Sequence, residues 1–235
     1  MPRYATTDLH GCLQTFRRLV EDRLRLQTTD TLYVLGDYIN KGPDSRGVLD
    51  YLMQLQHEGY QIHCLLGNHD QELLDAARGN TAATWASEPD RVRTLRSFGV
   101  QRPADIPARY LSWLAALPLT LELPDFVLVH AGLNFRLPPE AMWADTHAML
   151  NIKRFTFDAS RLQGRRLLHG HSPIPTAELQ RRVNQRAGAI DLDTGCVYRL
   201  NPEFSHLAAL NLDTWELILQ PNSEDFYPIA HHTAR

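Results

Sequence analysis

A chain of 235 residues that is 43% hydrophobic can bury one sizeable core, and no Pro/Gly/Ser-rich linker interrupts it, so a single domain over residues 1–235 is expected. A net charge of −3 argues against a general polyanion binder, and Cys12, Cys64 and Cys196 match neither a disulfide framework nor a Cys-x-x-Cys zinc site. The opening MPRYATTDLH lacks the apolar core of a signal peptide, and no apolar run approaches the roughly 18 residues of a membrane span, so a cytoplasmic protein without a membrane partner is expected.

The first eighty residues alternate strand, loop and helix. A short strand near Tyr4 to Thr7 precedes a helix with Leu13, Phe16, Val20 and Leu24 on one face. The apolar run Leu32 to Leu35 reads as a buried strand, Ser45 as the cap of a helix carrying Val48, Leu52 and Leu55, and Gly59 as its end. Ile62 to Leu66 reads as another buried strand. This alternation predicts parallel strands covered by helices, with ligands gathering beyond the carboxyl ends of the strands.

Residues 80–117 read as a helical insert bearing Trp85, Phe98, Tyr110 and Trp113, expected to pack as core rather than act as a lid. The second half is strand-rich, at 119–123, 126–129, 166–169, 189–192, 207–212 and 215–219, and predicts a second, mixed sheet. The last dozen residues, with His231 and His232 adjacent, read as a poorly ordered tail.

Five polar motifs end apolar runs in order: Asp8-Leu9-His10-Gly11, Gly36-Asp37, Gly67-Asn68-His69-Asp70, His130-Ala131-Gly132 and His169-Gly170-His171-Ser172-Pro173. Asp8 and His10 stand two apart, so in an extended segment both side chains leave on one face and can grip one cation. Oxygen donors mixed with imidazole, without thiolate, suit Mn²⁺, Fe²⁺ or Zn²⁺, and a pair of such ions about 3.5 to 4 Å apart suits displacement at phosphorus.

On these motifs the chain resembles the calcineurin-like metallophosphoesterases, in particular the phosphoprotein phosphatase branch and its bacterial relatives that cleave diadenosine tetraphosphate symmetrically. The resemblance implies a four-layer α/β/β/α sandwich of two mixed sheets flanked by helices. It implies two divalent metal ions, with Mn²⁺ the first choice and Fe or Zn the others. Asp8, His10 and Asp37 would hold one ion, and Asn68, His130, His171 and the shared Asp37 the other. His69, after the ligand asparagine, matches the family's general acid.

The chain departs from the family's Gly-Asp-x-x-Asp-Arg-Gly, reading Gly36-Asp37-Tyr38-Ile39-Asn40-Lys41-Gly42. Asn40 replaces the aspartate that orients the catalytic histidine, supplies no negative charge, and so predicts a weaker base at His69. Lys41 replaces a phosphate-gripping arginine, keeping the charge but losing the two-pronged grip. A second phosphate-binding position falls on Lys153 or Arg154.

The resemblance ranks a phosphoserine or phosphothreonine protein as the first substrate, and a dinucleoside polyphosphate, a phosphorylated nucleotide, as the second. A degenerate metal-holding binding protein is the third reading. The basic residues between Asn151 and Arg186 read as a solvated face, and nucleic acid is not expected as the main partner. Asp193 and His169 read as structural, and oligomeric state is not specified.

Overall fold

The computed structural model describes residues 1–80, 85–225 and 227. One sheet has the order β3-β2-β1-β8-β9 and the other β4-β5-β6-β7. In the first, β1 (Arg3–Thr6), β2 (Thr31–Val34) and β3 (Gln61–Cys64) run parallel, while β8 (His206–Asn211) and β9 (Leu217–Pro221) add on antiparallel beyond β1. In the second, β5 (Phe126–Val129), β6 (Arg166–His169) and β7 (Ala189–Asp191) are parallel, with β4 (Thr120–Glu122) antiparallel on β5.

The two-residue period of each strand builds the layers. Leu32 and Val34 point into a core shared with α1 (Leu13–Arg18), α2 (Ser45–His57), α3 (Asn68–Ala77), α4 (Glu88–Phe98) and α5 (Ala108–Ala115). Their neighbours Tyr33 and Leu35 point the other way, joining Phe126, Leu128, Leu168, Ile190, Ala208 and Leu210 between the two sheets. Val127, Val129 and Leu167 then face outward onto α6 (Pro139–Ala144) and α7 (Thr146–Asn151) through Met142 and Met149. A last helix, α8 (Thr176–Asn184), sends Leu179 and Val183 into the inter-sheet core. The result is the α/β/β/α sandwich the motifs implied, each fully buried aliphatic side chain contributing about 1.5–3 kcal/mol.

Two expectations change. The last two strands do not join the second sheet: β8 pairs with β1 through Tyr4↔Asn211 and Thr6↔Ala209, and so completes the first. Ser45 is not the cap of α2; the Asp44 carboxylate accepts from the Gly47 N–H, leaving Ser45 as the first helical residue. Within the helical stretch, Trp85, Leu95, Phe98, Ile106, Tyr110 and Leu114 lie in the core rather than over an opening. Residues 81–84 of that stretch and the tandem His231 and His232 lie outside the described residues. Among the described residues, no helix is long and apolar enough to cross a membrane.

Candidate metal centre

The polar motifs converge where the carboxyl ends of β1, β2, β3, β5 and β6 meet between the sheets. The loops after β1 and β2 are bound to each other by His10 N–H to Asp37 C=O at 2.8 Å and Gly11 N–H to Tyr38 C=O at 2.8 Å. Backbone strain concentrates here: Asp8, His10, Asp37, Asn40, Lys41 and His171 all have φ between 43° and 77°, a left-handed region costly for non-glycine residues. Two glycines permit the close approach. A Cβ at Gly67 would lie 2.2 Å from Asp37 Oδ1, and one at Gly170 would lie 2.2 Å from Asp8 Oδ2.

Asp37 stands at the middle. It belongs to two sets of mutually close donor atoms, one with His10 and His69 and the other with His130 and His171. Its Oδ2 lies 3.5 Å from His10 Nε2, and its Oδ1 lies 3.5 Å from His130 Nε2 while accepting the His69 N–H at 3.0 Å. Asp8 Oδ1 is 3.7 Å from His10 Nε2. The other Asp8 oxygen accepts from Thr7 Oγ1 at 2.7 Å and from the His171 N–H at 3.0 Å, which ties β1 to the end of β6.

The second set gathers acceptors with too few donors. His130 Nδ1 donates to the Leu35 carbonyl at 2.9 Å, which turns the lone pair of its Nε2 onto Asn68 Oδ1 at 3.0 Å. His171 Nδ1 reaches the same Asn68 oxygen at 2.9 Å. Two buried atoms, Asp8 Oδ1 and His171 Nε2, have no hydrogen-bond partner. Converging lone pairs and orphaned acceptors in a buried place are what a cation satisfies, so the donor set fits divalent metal ions.

Electrostatics agree. Burial and then the neighbouring Asp8 charge push the Asp37 carboxyl well above the usual carboxylate range. Burial, reinforced by Lys41, holds His10 well below the ordinary imidazole range, and burial with His130 brings His171 down to about 3. Imidazoles that resist protonation beside a carboxyl that resists ionisation are a ligand shell short of positive charge.

Asp70 was not singled out by the sequence for any role, yet it organises the centre. Its Oδ2 accepts from the Asp37 and Gly67 N–H groups at 2.9 and 3.0 Å, and its Oδ1 from the Tyr38 N–H at 3.1 Å. Burial, then the Asp37 charge, raises it to about 8. We expect Asp70→Asn, which turns an amide NH₂ toward one of these N–H donors, to weaken Mn²⁺ binding by about 10- to 100-fold. Metal titration checks this, and unchanged affinity would contradict the role. Asp193 also abuts the centre: burial and then Asp8 push its carboxyl well up, while its Oδ1 accepts the Gly195 N–H at 2.8 Å.

The remaining sequence candidates separate. His69 Nδ1 lies 2.9 Å from Asn40 Nδ2, and Asn40 Oδ1 accepts from Thr94 Oγ1 at 2.7 Å, so α4 supports the side chain that orients His69. Lys41, expected at a phosphate-binding position, has its Nζ 2.7 Å from His10 Nε2. Lys153 and Arg154 are both exposed. The Lys153 charge is felt at His171, whereas Arg154 lines a neighbouring cleft with Asn134, Arg136, Phe155 and Asp158.

This geometry has relatives. Symmetrical bis(5'-nucleosyl)-tetraphosphatases from Acidovorax sp. (strain JS42) and Nitrosospira multiformis are 36% and 38% identical over 77% and 57% of the chain, which spans 60% and 44% of their lengths. Among solved structures, a candidate diadenosine tetraphosphatase superposes with a TM-score of 0.65 at 23% identity, covering 95% of each chain. A protein serine/threonine phosphatase from Saccharomyces cerevisiae superposes with a TM-score of 0.63 at 12% identity, covering 97% of this chain and 81% of that one. These two likenesses speak to the fold. The calcineurin-like phosphoesterase model matches residues 1–213, and the chain belongs to that family.

Proposed function

We propose that this chain hydrolyses a phosphoric anhydride, with symmetrical cleavage of a dinucleoside tetraphosphate into two nucleoside diphosphates as its reaction. The observation that carries this reading is the activity for which the relatives at 36% and 38% identity are named, which reverses the order of substrates expected from the resemblance. In this reading Asp8, His10 and Asp37 hold one ion and Asn68, His130, His171 and Asp37 the other, with Mn²⁺ the expected metal. Divalent ions held there would supply Lewis acidity, polarising the phosphoryl group and lowering the pKa of the attacking water. His69 supplies the proton to the departing oxygen, held in place through Nδ1 by Asn40. Lys153 or Arg154 grips a flanking phosphate.

The Asn40–His69 contact favours an anhydride over a phosphoserine. An amide beside Nδ1 lacks the charge that would hold the ring protonated, which weakens proton delivery. A serine alkoxide leaves poorly without that proton, whereas a nucleoside diphosphate leaves as a stable oxyanion and needs it far less.

With Mn²⁺, diadenosine tetraphosphate is expected to give ADP as the sole nucleotide product, at a kcat/KM well above that for a phosphoserine peptide. Faster turnover of the peptide, or products ATP and AMP, would reject the reading. Restoring the family's charge with Asn40→Asp is expected to move the alkaline limb of the pH profile up by about one unit, because a carboxylate at Nδ1 stabilises the imidazolium. An unmoved limb would reject the orienting role.

A further inference from the structure

His10 has one nitrogen to offer a metal, and a side chain of this protein already holds it. The Nδ1–H of His10 donates to the Ile39 carbonyl at 2.9 Å, so the remaining lone pair belongs to Nε2. Lys41 Nζ lies 2.7 Å from that Nε2. The same Nε2 is 3.5 Å from Asp37 Oδ2 and 3.7 Å from Asp8 Oδ1, so the ammonium comes to the donor atom at which the first ion's ligands meet. One lone pair serves an N–H or a metal, never both, so an ion taken up at His10 Nε2 requires the ammonium to leave that nitrogen.

The placement is built into the loop. Lys41 takes a left-handed φ of 61°, the Arg93 guanidinium donates to its carbonyl, and the following Gly42 N–H donates to the His10 carbonyl at 2.8 Å. These contacts aim the Lys41 stem back toward His10. The second ligand set is joined instead through the Asn68 oxygen, which meets His130 Nε2 and His171 Nδ1, and Lys41 reaches it only as a charge felt at His171 and Asp37.

We propose that the Lys41 ammonium is a built-in placeholder for the first divalent ion. The resting chain then holds one ion firmly at Asp37, Asn68, His130 and His171 and admits the other only as Lys41 leaves His10. The inference rests on the metal-ligand reading given above and adds an inequality between the two positions, created by a residue of this chain where the family resemblance implies an arginine.

The test is the uptake of Mn²⁺ by metal-stripped protein, followed by equilibrium dialysis and by the electron paramagnetic resonance signature of a coupled ion pair. Wild type is expected to fill in two steps separated by about a hundredfold or more in free Mn²⁺, the coupled-pair signal arising only in the second. In Lys41→Met, which keeps the stem and removes the charge, the gap should shrink to about tenfold or less. Lys41→Gln serves the same comparison should the methionine variant fail to fold. Equal affinity for two ions in wild type, or an unchanged gap in both variants, would overturn the placeholder. Absence of Mn²⁺ uptake by wild type and variants alike would overturn the metal centre itself, and the placeholder with it.

Discussion

Asp37→Asn is expected to abolish metal retention and hydrolysis together, lowering kcat/KM by about a thousandfold or more, or roughly 4 kcal/mol of transition-state stabilisation. The reason is position: Asp37 is the donor common to both sets, and its two oxygens face His10 on one side and His130 on the other. The same change should leave the metal-free fold at least as stable. Burial and Asp8 disfavour the ionised Asp37 carboxyl, so the folded state binds a proton that the unfolded chain gives up. Metal-free wild type therefore loses stability as the pH rises above the ordinary carboxylate pKa of about 4, and the asparagine variant should lose less. Calorimetry on both proteins, stripped of metal, from mildly acidic to neutral pH checks this. A variant that is inactive because it is unfolded would contradict the account.

His69→Asn separates two roles that its position permits. Its donor nitrogen groups with His10 and Asp37, yet Nε2 stands 4.0 Å from Asp37 Oδ2 and Nδ1 is engaged by Asn40. As a proton donor, its loss should cost about 10²- to 10⁴-fold on an alkyl phosphate, less on diadenosine tetraphosphate, and leave Mn²⁺ content at the wild-type level. Loss of a bound ion in the variant would make His69 a ligand instead.

Much of this was legible in the sequence because the physics is local. FVLV and RLLH are apolar runs whose ends coincide with β5 and β6, and each is followed by the histidine motif that enters the centre. The partners of the last two strands were not legible. LAALNL and WELIL announce strands, but which sheet edge they complete is decided by β1, some two hundred residues earlier in the chain. Asp70 was equally hidden. It stands three residues after Gly67, where its carboxylate can return to the backbone N–H groups at the start of α3, but its bonds to the Asp37 and Tyr38 N–H groups cross the loops. The sequence marks Lys41 as a departure from the family motif at a phosphate-binding position. Its approach to His10 depends on a left-handed loop that no periodicity reports.

The helical stretch shows the same division. Its aromatic residues predicted core packing, and Trp85, Phe98 and Tyr110 are buried in the first core. Its link to the chemistry, Thr94 bonded to Asn40, spans 54 residues and is visible only in the fold.

The most direct test of the central claim is to strip the chain of metal, add diadenosine tetraphosphate, and follow the nucleotides with and without Mn²⁺. A chain that centres its chemistry on Asp37 should be silent without metal and release ADP alone when Mn²⁺ is restored. Hydrolysis that proceeds unchanged in the metal-free protein, or Mn²⁺ binding without any release of nucleoside diphosphate, would contradict it.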